Sequence, residues 1–371
     1  MVPIANNNGL TSFRFFAFLA VFLFHNLVFP VGYLGVQAFF VLSGYLITAI
    51  LCEMKDVCST REYFISFYIR RTLRIFPVYY FYLLMIVVLA LPFYFPNSRS
   101  DLSVINRFYH QLPWALTYTY NFFHASDFFK HTFLLTHFWS LAIEEQFYLV
   151  WPIALYLIPK KYLRTFLLIV VFSGPLVRWI TGFLVSQHTF AFLGHDTGLV
   201  VYVLPFSHFD AFALGGFYAL YGKGTSPGKI SLLCGLIILL GLVTSYCFES
   251  EVDWAGLGYS DFMRGSYKYV WGYSLFNLFC VLILATIRDK KYSIPLLENK
   301  ILVYLGTISY GLYIFHNAFI WLINLYLPEV PSLLKLCLIF LLTVLMAAIS
   351  YSLLEKPCLK LKDRFAPSPR L

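Results

Sequence analysis

The chain has 371 residues, of which 60% are apolar and 12% are charged, and its mean hydropathy is +0.74. This composition excludes a water-soluble globular protein, in which about a quarter of the residues are Asp, Glu, Lys or Arg. The net charge of +9 is explained by basic loops on one side of a membrane, so it does not indicate a nucleic-acid partner.

Apolar stretches of about 20 residues predict transmembrane helices, because a bilayer leaves no water to satisfy an exposed backbone. We predict an all-α polytopic transmembrane helix bundle that forms one domain over residues 1–371. Its ten spans lie near residues 12–30, 34–51, 76–95, 138–158, 165–185, 200–221, 230–248, 268–287, 301–326 and 333–354. An even number of spans puts both termini on one side, together with most of the Lys and Arg residues. The positive-inside rule then predicts cytoplasmic termini and a multi-pass protein of the cytoplasmic (inner) membrane, surrounded by membrane lipid.

Arg14 and His25 lie eleven residues apart in the first predicted span. Eleven residues are close to three helical turns, so the two side chains share a face and differ in depth by roughly 16 Å, with His25 about two turns below the outer surface. Ionisable groups inside a bilayer are functional candidates by default, and a His can act as general base or nucleophile near neutral pH. The alternative is that Arg14 is an interfacial anchor and His25 a packing residue.

The second predicted span contains Ser43 and Gly44 near its middle. Small residues at such positions allow helices to approach closely or bend the backbone, and a packing role of this kind is more common than a chemical one.

Just before the third span, Arg70, Arg71 and Arg74 form a basic run. Guanidinium groups suit bidentate phosphate binding, although basic residues at this position are also an ordinary topology signal.

The longest predicted external segment, residues 96–137, is rich in aromatic residues and His. It is compatible with an interfacial helix, and its aromatic residues favour a belt at the membrane surface over a zinc site. Metal-ligand spacing such as His-Glu-x-x-His is absent from the sequence, so no metal is expected.

The fourth predicted span contains Glu144 and Glu145, roughly 12 Å below the outer surface. Adjacent side chains point about 100° apart on a helix, so at least one carboxylate must meet a partner inside the bundle. Later spans place further ionisable groups at similar depth, namely Arg178, His208, Asp210 and His316. These positions predict a polar cluster, with purely structural helix–helix salt bridges as the alternative.

The ordered motifs carry a resemblance to a known family. They are Arg14-x10-His25, Phe39-Phe40-Val41-Leu42-Ser43-Gly44, Arg70-Arg71-x-x-Arg74-x-x-Pro77, Trp139-Ser140-Leu141-x-x-Glu144-Glu145-Gln146-Phe147-Tyr148, Ile308-Ser309-Tyr310-Gly311-Leu312-Tyr313-x-x-His316 and Glu355-Lys356-Pro357. Over nearly its whole length the chain resembles the acyltransferase 3 family of integral membrane O-acyltransferases. The resemblance is to the cell-surface glycan acetyltransferase type, and we expect no fused soluble esterase-like domain.

The resemblance implies transfer of an acyl group, usually acetyl, from cytosolic acetyl-CoA to a hydroxyl of an extracytoplasmic glycan. Such acceptors include surface polysaccharide, lipopolysaccharide O-antigen and lipid-linked glycan. By position, His25 becomes the catalytic histidine, Arg14 its motif partner, and Glu144, in preference to Glu145, the group that orients the imidazole. His25 either deprotonates the acceptor hydroxyl or first accepts the acetyl group itself. Candidate ligands for the CoA phosphates are Arg70, Arg71 and Arg74.

Two positions depart from the family pattern. Many relatives carry Arg-x-Asp where this chain has His208-Phe209-Asp210, and an acid is common where Gln37 stands. We therefore assign neither His208 nor Gln37 a catalytic role. Arg178 is a candidate for stabilising the oxyanion, with a structural ion pair as its alternative. The remaining candidates are Glu145, Asp210, His316 and Ser43.

A proton-coupled secondary transporter is the main alternative function, because buried Glu, His and Arg residues among ten helices also describe such a carrier. The sequence lacks a matching pair of Gly- or Pro-interrupted spans in two halves, which a carrier of that kind often has. A non-enzymatic scaffold explains neither the intramembrane ionisable residues nor the order of the motifs. The acceptor sugar, acyl chain length and oligomeric state are left open.

Overall fold

The computed structural model describes residues 7–90, 99–264, 267–288 and 294–365, and these residues are helical apart from turns and connections. The helices are α1 (Asn8–His25), α2 (Gly35–Val57), α3 (Thr60–Ala90), α4 (Arg99–Leu116), α5 (Tyr120–His124), α6 (Phe138–Leu157), α7 (Lys160–Ser186), α8 (Thr197–Val203), α9 (Phe209–Tyr221), α10 (Pro227–Glu249), α11 (Lys268–Arg288), α12 (Lys300–Thr307), α13 (Ser309–Tyr326), α14 (Ser332–Ser350) and α15 (Lys356–Phe365). A π-helical turn, Tyr351–Glu355, joins α14 to α15. The all-α prediction is confirmed.

Within the described residues, seven helical stretches are long and apolar enough to cross a membrane, or eight if α12 and α13 count as one broken span. The predicted span 200–221 is divided instead between α8 and α9, because the segment containing Pro205 interrupts the helix. The ten-span count and the side of the termini stay predictions. Residues 91–95 of the third predicted span, and residues 1–6 and 366–371 at the termini, lie outside the described residues.

Large apolar side chains are exposed along α7, α10 and α14. Examples are Phe172 (76% exposed), Leu232 (65%) and Leu341 (63%). Apolar surface of this extent is unfavourable in water and suits contact with lipid chains. These faces, together with the long apolar helices, indicate a multi-pass membrane protein.

The chain divides into two compact units. Unit 1 comprises Met1–Ile50, Ala125–Phe129 and Gln146–Thr307, and unit 2 comprises Leu51–His124, Lys130–Glu145 and Ile308–Leu371. The chain passes between the two units within α2, on either side of residues 125–129, within α6, and between α12 and α13.

In unit 1, α1 ends at His25 and not near residue 30 as predicted. The backbone N–H and the side-chain amide of Asn26 both donate to the Phe22 carbonyl, at 3.2 and 2.8 Å. Leu27 then takes a left-handed φ of 60°, which ends the helical path. The two helical turns predicted beyond His25 are replaced by a turn, so His25 is the last residue of α1.

Glycines bring α2 and α9 of unit 1 into close contact. A Cβ added to Gly44 would lie 2.0 Å from the Phe212 carbonyl oxygen, and one added to Gly215 would lie 2.0 Å from the Val41 carbonyl oxygen. Both distances are far below van der Waals contact, so only glycine fits at either position. The predicted close approach of a helix at Gly44 is confirmed.

Replacing Gly44 by Ala is expected to lower the free energy of unfolding by about 1–3 kcal/mol, because the added methyl group pushes α2 away from α9. The matched control is Gly235→Ala in α10, where an added Cβ meets no described atom within 4 Å. That change should be neutral or slightly stabilising, since Ala favours a helix over Gly. Thermal unfolding in detergent measures both variants. Equal stability of the two would show that the glycine contact is wrong.

In unit 2, the segment around α4 and α5 packs against α3. The Tyr79 hydroxyl donates to the Ala115 carbonyl at 2.7 Å, and the rings of Tyr79 and Tyr118 stack with centroids 4.3 Å apart. Tyr118 and Tyr120 are buried. A helix does form in this predicted external segment, but the surface-belt interpretation is wrong for these two tyrosines. Tyr118 is covered by Tyr79 of α3, and the hydroxyl of buried Tyr120 donates to the side chain of Gln111 in α4 at 2.7 Å.

His124 gives unit 2 a predicted dependence of stability on pH. Burial, with a smaller contribution from His131, lowers the pKa of His124 to about 3. The unfolded chain protonates this residue below its ordinary pKa of about 6.5, whereas the folded chain keeps it neutral. Its contribution to stability is therefore complete above about pH 6.5 and is lost as the pH falls. We expect the melting temperature to fall on acidification, and to fall less steeply in His124→Gln.

The control for this pH dependence is His110→Gln, which changes an exposed histidine of α4. The melting temperature of this variant should depend on pH as steeply as that of the unchanged chain. If the melting temperature of His124→Gln fell just as steeply with pH, the pH dependence could not be assigned to the buried imidazole of His124.

Candidate active site

Arg14 and His25 lie on one uninterrupted helix, α1, and both are half-buried. At 1.5 Å per residue they are about 16 Å apart along the helix, on one face as the spacing predicts. The adjacent ring of Phe24 packs against Tyr33 and Phe262, with centroids 5.5 and 5.6 Å apart. His25 therefore stands at a helix end beside an aromatic cluster of unit 1.

Hydrogen bonds hold this aromatic cluster in place. The Tyr33 hydroxyl donates to the Tyr259 carbonyl at 2.6 Å, and the Tyr202 hydroxyl donates to the Tyr33 carbonyl at 2.9 Å. The segment that follows α1 passes close to that helix at Gly32. A Cβ at this position would lie 2.1 Å from the Ala20 carbonyl oxygen of α1, so only glycine fits there. The chain that follows His25 is thus fixed against α1, which limits the positions open to the imidazole.

The two positions that depart from the family pattern contact each other. The Gln37 side-chain amide donates to Nδ1 of His208 at 2.7 Å, and Nε2 of His208 donates to the Tyr202 carbonyl at 2.5 Å. Both side chains are fully buried. The carbonyl acceptor requires the Nε2–H tautomer, so this is a neutral pair in unit 1.

Arg178 forms a buried ion pair with Asp210 that connects α7 and α9. Its Nη1 donates to the Asp210 carboxylate at 3.0 Å and to the Ser207 carbonyl at 2.7 Å. Its Nε donates to the Val270 carbonyl at 3.1 Å, and its Nη2 donates to the Ser274 hydroxyl at 2.5 Å. Arg178 is 0% exposed and Asp210 is 2% exposed. With four donor contacts inside unit 1, the guanidinium joins α7, α9 and α11.

Glu144 and Glu145 are both half-buried in α6 and have different neighbours in unit 2. The charge of Glu144 acts on Tyr313 of α13, whereas Glu145 acts on Tyr79 and is attracted by Arg71, both of α3. Their divergence follows from the helical rotation between adjacent residues. The positive charge of Arg71 thus acts on Glu145, but among the described residues Oε1 of Glu145 has no hydrogen-bond partner.

A buried hydrogen-bond network surrounds His316 in unit 2. Nδ1 of His316 donates to the Tyr313 carbonyl at 2.6 Å, and its ring centroid lies 5.1 Å from that of His137. Nε2 of His137 donates to the Ile314 carbonyl at 3.1 Å, while its Nδ1 accepts from the Asn317 amide at 3.0 Å. The Tyr313 hydroxyl lies 2.6 Å from that of Ser140, one turn before Glu144. The sequence analysis missed His137 as a member, although its position two residues before the Trp-Ser-Leu motif was a signal.

The basic run on α3 is half-buried and is directed toward different groups. Arg71 lies over the Phe67 ring at 5.8 Å, and its charge acts on Glu145. The charge of Arg74 acts on Glu355, a residue that the sequence analysis did not select as a site. The charges of two of the three arginines therefore act on carboxylates of unit 2.

The predicted residues fall into two sets. Unit 1 contains Arg14, His25, Ser43, Arg178 and Asp210, and unit 2 contains Arg70, Arg71, Arg74, Glu144, Glu145 and His316. Ser43 is half-buried in α2, beside the glycine contact with α9. The pairing of Glu144 with His25 stays a prediction. In the part of the chain that the structure describes, no group of three or more His, Cys, Asp or Glu side chains could hold a metal ion.

Comparison with known proteins decides the family. A family model described as an acyltransferase domain matches residues 7–354. The chain belongs to the acyltransferase 3 family. This acyltransferase 3 chain is 30% identical over 348 residues to the peptidoglycan O-acetyltransferase OatA of Listeria monocytogenes, covering 89% of this chain and 51% of that protein. It is 27% identical over 374 residues to the O-acetyltransferase OatA of Staphylococcus aureus, covering 95% of this chain and 57% of that protein.

The acyltransferase 3 chain thus spans about half the length of the curated relatives it matches. No solved structure matches it. The resemblance drawn from the ordered motifs is confirmed at the level of the family.

Proposed function

We propose that this chain is a membrane O-acetyltransferase that moves an acetyl group from cytosolic acetyl-CoA to a hydroxyl of an extracytoplasmic glycan. The observation that carries the proposal is the acyltransferase match over residues 7–354, together with the O-acetyltransferase names of its relatives. One relative is named for peptidoglycan, which supports a cell-envelope glycan as acceptor. Surface polysaccharide, O-antigen and lipid-linked glycan present the same hydroxyl chemistry.

The proposed topology has ten spans, with both termini in the cytoplasm and the protein in the inner membrane. The basic segments support this orientation through the positive-inside rule. In this arrangement the donor thioester approaches from the cytoplasmic side, where the predicted phosphate ligands Arg70, Arg71 and Arg74 lie. The acetyl group must then cross to the outer side, where the glycan hydroxyl is.

The proposed reaction has His25 as its base. The imidazole takes the proton of the acceptor hydroxyl, and the hydroxyl oxygen attacks the thioester carbonyl carbon. The carbon–sulfur bond then breaks, and the CoA sulfur leaves and takes the proton from the imidazolium. In the alternative order, the imidazole nitrogen attacks the thioester carbonyl carbon, the carbon–sulfur bond breaks and coenzyme A leaves. The hydroxyl oxygen then attacks the acetyl-imidazole, which releases the imidazole, and the hydroxyl proton passes to the freed nitrogen. The position of His25 at the end of α1, beside fixed aromatic residues, supports a preorganised group in either case.

We assign the other candidates by their surroundings. Arg14 is the motif partner of His25 on α1, and Glu144 is the acidic group of the reaction. Arg178 and Asp210 are proposed to hold helices together, because the guanidinium already donates to four groups of the chain. The location of Ser43 beside the glycine contact supports a packing role.

A proton-coupled transporter is not favoured, because both the family and the names of the relatives describe acyl transfer. A carrier would move its substrate without consuming acetyl-CoA.

The proposal is tested by mass spectrometry of envelope glycans from cells that lack the gene and are complemented with this chain. Peptidoglycan fragments, surface polysaccharide and O-antigen are analysed separately, so that the acceptor class is identified. An acetyl-sized increment restored in one glycan by the chain is expected. Unchanged masses in all fractions, with the chain present in the membrane, would contradict the proposed function.

A further inference from the structure

We infer that Phe262 is a positioning residue for His25, because its ring packs against Phe24 and so holds the neighbouring imidazole in place. The inference rests on the proposed function, since it takes His25 as the base or acetyl carrier of the reaction. Phe262 lies in the segment that connects α10 to α11. All of the residues that carry the inference belong to unit 1.

Phe262 reaches the aromatic cluster beside His25 from a distant part of the chain. Its ring centroid lies 5.6 Å from that of Phe24, 5.0 Å from that of Tyr33 and 5.1 Å from that of Tyr202. The Phe24 ring in turn lies 5.5 Å from the His25 imidazole, at an interplanar angle of 51°. Centroid distances of this size are those of packed aromatic pairs. Phe24 therefore contacts both Phe262 and the imidazole.

The backbone at Phe262 has an unfavourable conformation. Phe262 and the following Met263 both have a φ of 56°, in the left-handed region that bulky residues rarely adopt. Such a conformation costs free energy, persists only where the surrounding structure determines it, and is frequent at functional sites. A glycine would remove this cost, but it would bring no ring to Phe24. The contacts of the ring therefore explain why an aromatic residue stands at this position.

Contacts on either side of the ring hold this conformation. The Tyr273 hydroxyl of α11 donates to the Phe262 carbonyl at 3.1 Å, and the Met263 side chain is fully buried. The Arg264 guanidinium lies over the Phe262 ring at 5.5 Å and forms an ion pair with Asp196 at 2.6 Å. Asp196 is the N-cap residue of α8. The segment that carries the ring is thus attached both to α11 and to the start of α8.

The position of His25 explains why its imidazole needs such support. His25 is the last residue of α1, so no further helical turn packs around its side chain. A base must lie within hydrogen-bond reach of the proton that it takes, and a displacement of about 1 Å can lower a rate by about 10²-fold. A Phe24 ring that is itself fixed limits the orientations open to the imidazole. In the proposed topology, the segment between α10 and α11 lies on the outer side, where the acceptor hydroxyl is.

The expected consequence is a slower chemical step with little change in donor affinity. In Phe262→Ala the kcat should fall by roughly 10- to 100-fold, because the imidazole is no longer held in place. The KM for acetyl-CoA should change by less than about threefold, since the predicted ligands of the CoA phosphates are intact. Phe262→Tyr keeps the ring and should keep most of the rate. The matched control is Trp254→Ala, which changes an aromatic residue of the same segment that is 71% exposed and should behave as the unchanged chain.

The experiment measures initial rates of these variants in proteoliposomes at equal amounts of folded protein. In parallel, diethyl pyrocarbonate modifies the accessible imidazoles, and peptide mass spectrometry follows the modification of His25. This modification should be faster in Phe262→Ala, because Phe24 is no longer held against the imidazole. If Phe262→Ala fails to fold, Phe262→Leu replaces it, since leucine fills part of the space without a ring. An unchanged kcat, or an unchanged modification rate of His25, would overturn the inference.

A role in folding alone has a different signature. It would lower the melting temperature of Phe262→Ala and its amount in the membrane, but not the kcat of the folded protein or the modification rate of His25. That result rejects the positioning role. Failure of the proposed function is distinguishable, because the unchanged chain would then transfer no acetyl group. The modification rate of His25 decides even in that case whether Phe262 holds the imidazole in place.

Discussion

Replacing His25 by Ala is expected to lower the rate of acetyl transfer by about 10²–10⁴-fold, the usual contribution of a general acid–base group. The loss is larger if the imidazole itself carries the acetyl group. The variant should still fold, because His25 is half-buried at the end of α1 and is not part of the helix core. Initial rates in proteoliposomes with radiolabelled acetyl-CoA measure the effect.

His110→Ala is the matched control for this prediction, since His110 is an exposed histidine of α4. It should keep the rate of the unchanged chain. If His25→Ala were as active as His110→Ala at equal membrane amounts, His25 could not be the base or the acetyl carrier.

Replacing Arg178 by Met is expected to destabilise the protein by about 3–5 kcal/mol, because it leaves the Asp210 carboxylate buried without its counter-charge. It also removes four hydrogen bonds, which connect α7 to Asp210 of α9, to Ser207 just before α9, and to α11. The melting temperature in detergent and the fraction recovered in the membrane should both fall. Arg164→Met, which changes an exposed arginine of the same helix, should have little effect.

A double variant, Arg178→Met with Asp210→Asn, separates the charge from the packing. Removing both charges leaves no uncompensated ion, so part of the lost stability should return. Equal stability of Arg178→Met and Arg164→Met would contradict a structural role for the ion pair.

The sequence predicted those features that depend on local pattern. Apolar length determined the helical class, and the spacing of Arg14 and His25 placed them on one helix. Gly44 was recognised as a close-approach position because small residues in a span have few other uses. The order of the motifs identified the family, which neither composition nor any single motif could do.

The end of α1 was not predictable from hydropathy. Residues 26–30 are sufficiently apolar to extend the span, and the helix stops because Asn26 and Leu27 form a terminating turn. Hydropathy measures how favourably a side chain transfers from water to lipid, so it contains no information on a backbone turn that ends a helix. The burial of Tyr118 was missed for a related reason, since an aromatic residue suits both a membrane surface and a protein interior.

Contacts between residues far apart in the sequence could not be predicted either. Gln37 and His208 are 171 positions apart, and each alone was a departure from the family pattern. The structure makes them direct partners, so the two departures form one neutral hydrogen-bonded pair. Glu355 was noted only as part of a motif, because its proximity to the first turn of α13 depends on the π turn and on how α13 packs.

The central claim is that this chain transfers acetyl groups. The most direct test reconstitutes the purified chain in proteoliposomes with radiolabelled acetyl-CoA and a glycan acceptor, and then counts label in the acceptor. The account predicts label in the glycan with the intact chain, together with release of free coenzyme A, and only background label with His25→Ala. Unlabelled glycan and unconsumed acetyl-CoA with a folded, intact chain would contradict it.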